Sequence, residues 1–171
     1  MVPARANYMP RIEDLRSQVF GLRAELPVQA LNSRPIERAD DHGTNSLAAL
    51  AAHVAGREHF CLADVIGRRP ETRDRPTEFA IVAISAYAVI QLVLETARKT
   101  TDESFKLGET ALNGTRSAGH RPGTVRWWML RTIDHTALHL RRMRLTGRLR
   151  SGGKSLASPP WSKRLFPKQD S

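Results

Sequence analysis

Residues 125–149 read VRWWMLRTIDHTALHLRRMRLTGRL, and the pattern predicts one helix from about Thr124 to about Arg148. Within it, His135 and His139 stand four positions apart. At 100° per residue, a four-residue step returns to within about 40° of the same face, so the imidazoles lie one above the other. Paired histidines hold one metal ion in this way on the helices of zinc enzymes. Two histidines sharing a packed face have the same spacing. The glutamate that follows the first histidine in the metalloprotease motif is missing, because Thr136 stands there. The pair alone leaves both readings open.

Three more helices are predicted upstream. The first covers about Pro10 to Glu25, with Ile12, Leu15, Val19, Leu22 and Leu26 at helical spacing and Pro27 beyond. A turn-rich connection follows, with one short helical turn expected at 28–31. The second helix starts at Asn45 or Ser46, either a suitable N-cap, and stops at Gly67 and Pro70. Gly56 lies inside it at a cost of about 1 kcal/mol relative to alanine, which points to a close contact there. The third helix spans about Thr77 to Lys99 and is apolar almost all round, so burial between neighbours is expected. A long polar connection, 101–123, leads to the histidine-bearing helix. No period-two alternation persists, and no internal repeat is present. Four such helices predict an all-α four-helix bundle in a single domain, residues 1–150. Residues 151–171, SGGKSLASPPWSKRLFPKQDS, have the composition of a basic, disordered tail.

Composition narrows the function. Cys61 is the only cysteine, which rules out an internal disulfide and a zinc finger. The most apolar run, FAIVAISAYAVIQLVL at 79–94, has 16 residues. A membrane span needs roughly 20, so none is expected. The opening MVPARANYMP leads into no apolar signal segment, and with the single cysteine this predicts a cytoplasmic setting. The formal net charge is +10. Nine Lys/Arg and one acid lie from Arg141 onward, so most of the excess sits at the end of the last helix and in the tail. No interleaved aromatic groove accompanies that charge, and a nucleic-acid partner is not expected.

A third ligand for a metal comes most readily from His53, on the shoulder of the second helix's apolar stripe. Catalytic zinc sites commonly combine three protein ligands with an open position. TNSLAALAAHVAGREHFCLADVIG (44–67), VRWWMLRTIDHTALHLRRMRLTGRL (125–149) and the connection LPVQALNSRPIERADDHGTNS resemble the DinB-like family, YfiT type, over about residues 10–150. The resemblance implies a four-helix bundle in which His53, His135 and His139 bind one divalent ion. Zinc or nickel suits neutral imidazoles. The resemblance further implies a low-molecular-weight thiol as partner, with thiol-dependent S-transfer or metal-dependent hydrolysis as the reaction. The alternative is a non-enzymatic helical stress or interaction protein, with structural histidines and a basic partner-binding end. A homodimer is compatible with either. The chain departs from the family in places. Relatives often carry a glycine after the second histidine of the pair, a histidine where Arg131 stands and a tryptophan near Cys61. Here Leu140 is followed by Arg141 and Arg142.

Those arginines have a predicted placement. Arg131 and Arg142 fall within about 20° of each other and about 40° of His135, so they edge one interhelical face, while Arg141 points away. They either pair with acids such as Glu58 or form an anion-binding rim for an acidic substrate. Glu58 lies inside the second helix's apolar stripe and needs a partner, with Arg131 the candidate. A role for Glu58 beside the metal, or as a base, stays open. Cys61 reads as a small buried thiol.

Overall fold

The computed structural model describes residues 8–22, 26–35, 44–105 and 107–150. In chain order its helices are α1 (Met9–Gly21), α2 (Val28–Asn32), α3 (Leu47–His59), α4 (Arg75–Ala80), α5 (Ala86–Phe105) and α6 (Val125–Arg150). The four long ones make the bundle: α3 packs on α5 and α6, and α1 packs on the same two. The expected all-α bundle is therefore the observed one. No helix among the described residues is long and apolar enough to cross a membrane. The tail 151–171 lies outside the described residues, as do residues 23–25 at the predicted end of the first helix.

The second predicted helix starts where expected. Ser46 is the N-cap, its hydroxyl accepting from the Ala49 amide at 3.1 Å. Past His59 the helix widens into a π-helical turn, Phe60–Ile66, in which all seven residues are buried. The turn closes at Gly67, whose amide donates to the Leu62 carbonyl at 3.0 Å. Cys61 sits within this turn, fully buried, and burial pushes its thiol pKa up.

The third predicted helix, about Thr77 to Lys99, is in fact two. The chain forms α4, leaves helical geometry at 81–85 and resumes as α5. Asn32, at the end of α2, accounts for the break. Its side-chain amide donates to the Ala83 carbonyl at 2.8 Å, and its carbonyl oxygen accepts from the Ala83 amide at 2.7 Å. Both Ala83 backbone groups are thus satisfied without a helix. Ser85 then receives the Ala88 amide at 3.0 Å, and α5 begins. Burial all round was also too strong an expectation, since Val82, Ile84 and Tyr87 are exposed.

The connection 101–123 is more ordered than predicted. It holds the end of α5, a 3₁₀ turn (Glu109–Asn113) and an antiparallel hairpin of β1 (Thr115–Ala118) and β2 (Arg121–Thr124). Gly119, with φ of 55°, makes the tight reversal. The hairpin lies on two tryptophans. Trp128 Nε1 donates to the Arg116 carbonyl at 3.3 Å, and a β-carbon on Gly123 would come within 2.8 Å of the Trp127 ring.

Two apolar clusters fill the bundle. One centres on Leu15, Val19, Leu50, Val54, Leu140 and Met143. The other centres on Ile12, Phe60, Leu62, Trp128 and Met129. Where the clusters meet at the end of α3, Glu58 lies between Val54 of the first and Phe60 of the second. Glu58 is the buried acid the helical wheel identifies, but its partner is Arg16, not Arg131. Arg16 Nη2 donates to Glu58 Oε1 at 2.6 Å and Arg16 Nε at 3.0 Å, while the Thr100 hydroxyl donates to the same oxygen at 2.8 Å. The carboxylate and guanidinium are both almost fully buried and each has further hydrogen-bond partners, as a buried ion pair requires.

Candidate metal centre

His53 projects from the middle of α3, and His135 and His139 from successive turns of α6. The structure brings the three together: one ring nitrogen from each lies within 4.8 Å of the others. His53 Nε2 is 3.1 Å from His135 Nε2. Two nitrogens sharing one tetrahedral zinc at 2.0–2.1 Å lie about 3.3 Å apart, so this spacing suits a shared ion. The third ring, His139, has its centroid 4.7 Å from His53 and 4.4 Å from His135. Its buried Nδ1 has no hydrogen-bond partner. A buried imidazole nitrogen without a partner among the described residues is a polar atom whose requirement is unmet, and a bound cation is one group that would meet it.

The rings are held from behind. His53 Nδ1 is 2.8 Å from Glu78 Oε2 on α4. A carboxylate only accepts, so Nδ1 carries the proton and the Nε2 lone pair faces the other histidines. This is the carboxylate–histidine arrangement that orients metal ligands and raises their basicity. Arg73 clamps the carboxylate from the other side, with Nε to Oε1 at 2.7 Å and Nη2 to Oε2 at 2.8 Å. Burial alone would raise the Glu78 carboxyl pKa, but the hydrogen bonds from His53 and Arg73 outweigh it and hold it below the usual range. Glu78 therefore stays ionised. Gly56 makes room for it, because a β-carbon at that position would lie 2.1 Å from Glu78 Oε1. The close contact foreseen at Gly56 is thus with a side chain of α4.

Charge around the site is lopsided. The histidines open into a cavity of about 880 Å³ lined by Arg34, Arg57, Arg73, Arg75, Arg121, Arg131 and Arg142, with no acid on its wall among the described residues. Burial, then His139 and His53, then Arg57 and Arg73 push the His135 pKa down to about 2. Burial, His53 and Arg142 push that of His139 down to about 4. Both rings are neutral at ordinary pH, the form in which imidazole coordinates a metal. The arginines oppose a cation, and among the described residues Glu78 is the carboxylate bonded directly to the histidine cluster that offsets them.

Other sequence candidates take distinct places. Arg131 and Arg142 line the cavity beside His135 and His139, and Arg141 does not. Glu58 does not line it; it is bonded within the bundle to Arg16 and Thr100. Two important groups escaped the sequence reading. They are Glu78 and Arg73, neither of which stands out by spacing or by an apolar pattern of its own. Gly56 was the available clue, since it marks the gap Glu78 fills. Phe79 was missed as well; its ring packs on His53 at 4.6 Å between centroids.

Among curated proteins, no sequence matches this chain. A family model does: that of the DinB superfamily covers residues 11–143, from α1 to the middle of α6, and includes all three histidines. With a helical bundle throughout and most of its length matched, the chain belongs to the DinB superfamily.

Proposed function

We propose that His53, His135 and His139 bind one divalent ion, zinc or nickel, and that the centre serves a thiol-dependent S-transferase. The observation that carries this reading is the convergence of three imidazoles with Glu78 bonded to the far nitrogen of one of them. A bound dication supplies positive charge that favours the deprotonated form of an incoming thiol. The arginines of the cavity act in the same direction, because a thiol beside guanidiniums ionises more readily. The thiolate then forms a carbon–sulfur bond to an electrophilic carbon, and the displaced group leaves with its bonding pair. The thiol proton passes to solvent. Glu78 keeps His53 in one tautomer throughout, and Phe79 covers the His53 ring.

Metal analysis of tag-free protein tests the reading. Near-stoichiometric zinc or nickel, lost in His135→Ala, is the expected result. Absence of metal, together with melting that does not change on adding Zn²⁺ or Ni²⁺, would overturn it in favour of a non-enzymatic helical protein with structural histidines. On the loaded protein, thiol consumption with electrophilic substrates separates S-transfer from hydrolysis, in which the thiol is not consumed.

A further inference from the structure

A second cavity of about 680 Å³ adjoins the first and shares Arg57, Arg121 and Arg131 with it. Its floor is different. Trp127 lies on it, 45% exposed, with Ala118 and Gly119 of the hairpin alongside and the acids Glu71 and Asp134 also on the wall. Trp127 is set edge-on against the buried Trp128, with centroids 4.7 Å apart and planes at 87°. Gly123 is pressed against it from the hairpin side. An exposed indole fixed in this way presents a rigid flat surface.

The shared wall is an array of cations. Arg57 comes from α3, Arg121 from β2 and Arg131 from α6, with Arg142 one helical stretch farther along beside the histidines. Among the described residues, none of these four forms an ion pair, whereas Arg73 is held by Glu78. Their mutual repulsion shows at Arg57, whose pKa is lowered by burial and, further, by Arg73, Arg131 and Arg121. Glu71 and Asp134 also line the second cavity, but neither is ion-paired with these arginines. Guanidiniums without an ion-pair partner among the described residues are suited to an anionic ligand, which they grip bidentately. A dication at the histidines would add to the same field.

We propose that the ligand of this groove is an aromatic polyanion, carrying two or more carboxylate- or phosphate-type groups. The charged groups sit on Arg57, Arg121, Arg131 and Arg142, and the flat ring lies against Trp127. This names the substrate class of the site assigned above and rests on that reading for the reaction, though not for the binding. Charge and ring are read by different elements, so each part of the ligand has its own wall. The hairpin is what joins them: it delivers Arg121 to the shared wall and seats on Trp127.

Calorimetric titration of the full-length protein at low salt tests it, with metal content measured on the same samples. The probes are benzoate, benzene-1,2-dicarboxylate, benzene-1,2,4-tricarboxylate and the non-aromatic propane-1,2,3-tricarboxylate. Affinity is expected to rise about tenfold or more from benzoate to the aromatic tricarboxylate and to fall steeply with added salt. Arg121→Ala/Arg131→Ala, both at exposed positions that leave folding intact, should remove most of that gain. Trp127→Ala should weaken the aromatic tricarboxylate about tenfold and leave the propane tricarboxylate unchanged. Equal affinity along the charge series, or indifference to the arginine variant, would overturn the proposal. Equal binding of aromatic and aliphatic tricarboxylates would overturn it too. A flat series on protein that holds stoichiometric metal sinks this inference alone. A steep series on protein that takes up no metal sinks only the metal-centre reading.

Discussion

Gly56 on α3 and Glu78 on α4 meet at a distance that admits no side chain on the glycine: a β-carbon there would fall 2.1 Å from Glu78 Oε1 and 2.7 Å from its carboxyl carbon. Because Glu78 is also bonded to His53 and clamped by Arg73, it cannot swing away without releasing both.

Gly56→Ala should therefore act on the histidines more than on the fold. Alanine is the better helix former by about 1 kcal/mol, which offsets part of the disturbance. The expected outcome is a melting temperature within a few degrees of wild type, with zinc or nickel affinity reduced about 10- to 100-fold as His53 loses its buttress. Metal titration beside thermal unfolding checks both halves. Wild-type affinity would mean that Glu78 relocates without loosening His53.

Glu78→Gln isolates the charge. The glutamine carbonyl can still accept from His53 Nδ1, so the ring stays oriented, but the negative charge between two cations is gone. Metal affinity should fall about tenfold, and less than in Glu78→Ala, where orientation is lost as well. Competition against a calibrated chelator reads the order of the three proteins.

Arg16→Leu leaves a buried carboxylate facing Thr100 alone. Removing one partner of such a pair typically costs about 3–5 kcal/mol, while replacing both by apolar residues is near neutral. Urea unfolding should therefore show a large loss for Arg16→Leu and substantial recovery in Arg16→Leu/Glu58→Leu. Neither change should move metal affinity, since Glu58 stands apart from the histidine cavity. A shift in metal affinity in the double variant would reinstate Glu58 as a group acting on the site.

Truncation after Arg150 should leave folding intact. The removed segment is rich in Ser, Gly, Pro and Lys and offers few apolar side chains to bury. The check is the melting temperature of protein ending at Arg150 against the full chain. A drop of several degrees would show that Trp161 or Phe166 packs on the bundle.

The legible parts of this protein are the ones whose cause is local. Period-3.6 patterning and the Ser46 cap gave α3 and α6, and the four-residue spacing put His135 and His139 on one face. Residue type and helical position made His53 the third candidate. What escaped depends on partners distant in sequence. The wheel told that Glu58 is buried but not which neighbour faces it, and Arg16 lies 42 residues away. The run at 79–94 looks like an unbroken helix until Asn32, 51 residues earlier, bonds both backbone groups of Ala83. The strands of the hairpin, TRSA and RPGT, carry no alternating apolar pattern. They are held by the tryptophans beneath them rather than by a hydrophobic face of their own.

The break that Asn32 imposes gives the chain a modular build. Between Gly67, where the π-helical turn ends, and Ala83, where the asparagine takes hold, the polypeptide forms an insert fastened at both ends to the bundle. The histidines belong to the bundle helices, while Arg73, Glu78 and Phe79, which set their tautomer, charge and cover, all belong to the insert. Between those fastenings the insert also packs along α3, where Glu78 fills the gap at Gly56. A substitution within the insert thus reaches the imidazoles through Glu78, without altering a residue of the helices that carry them.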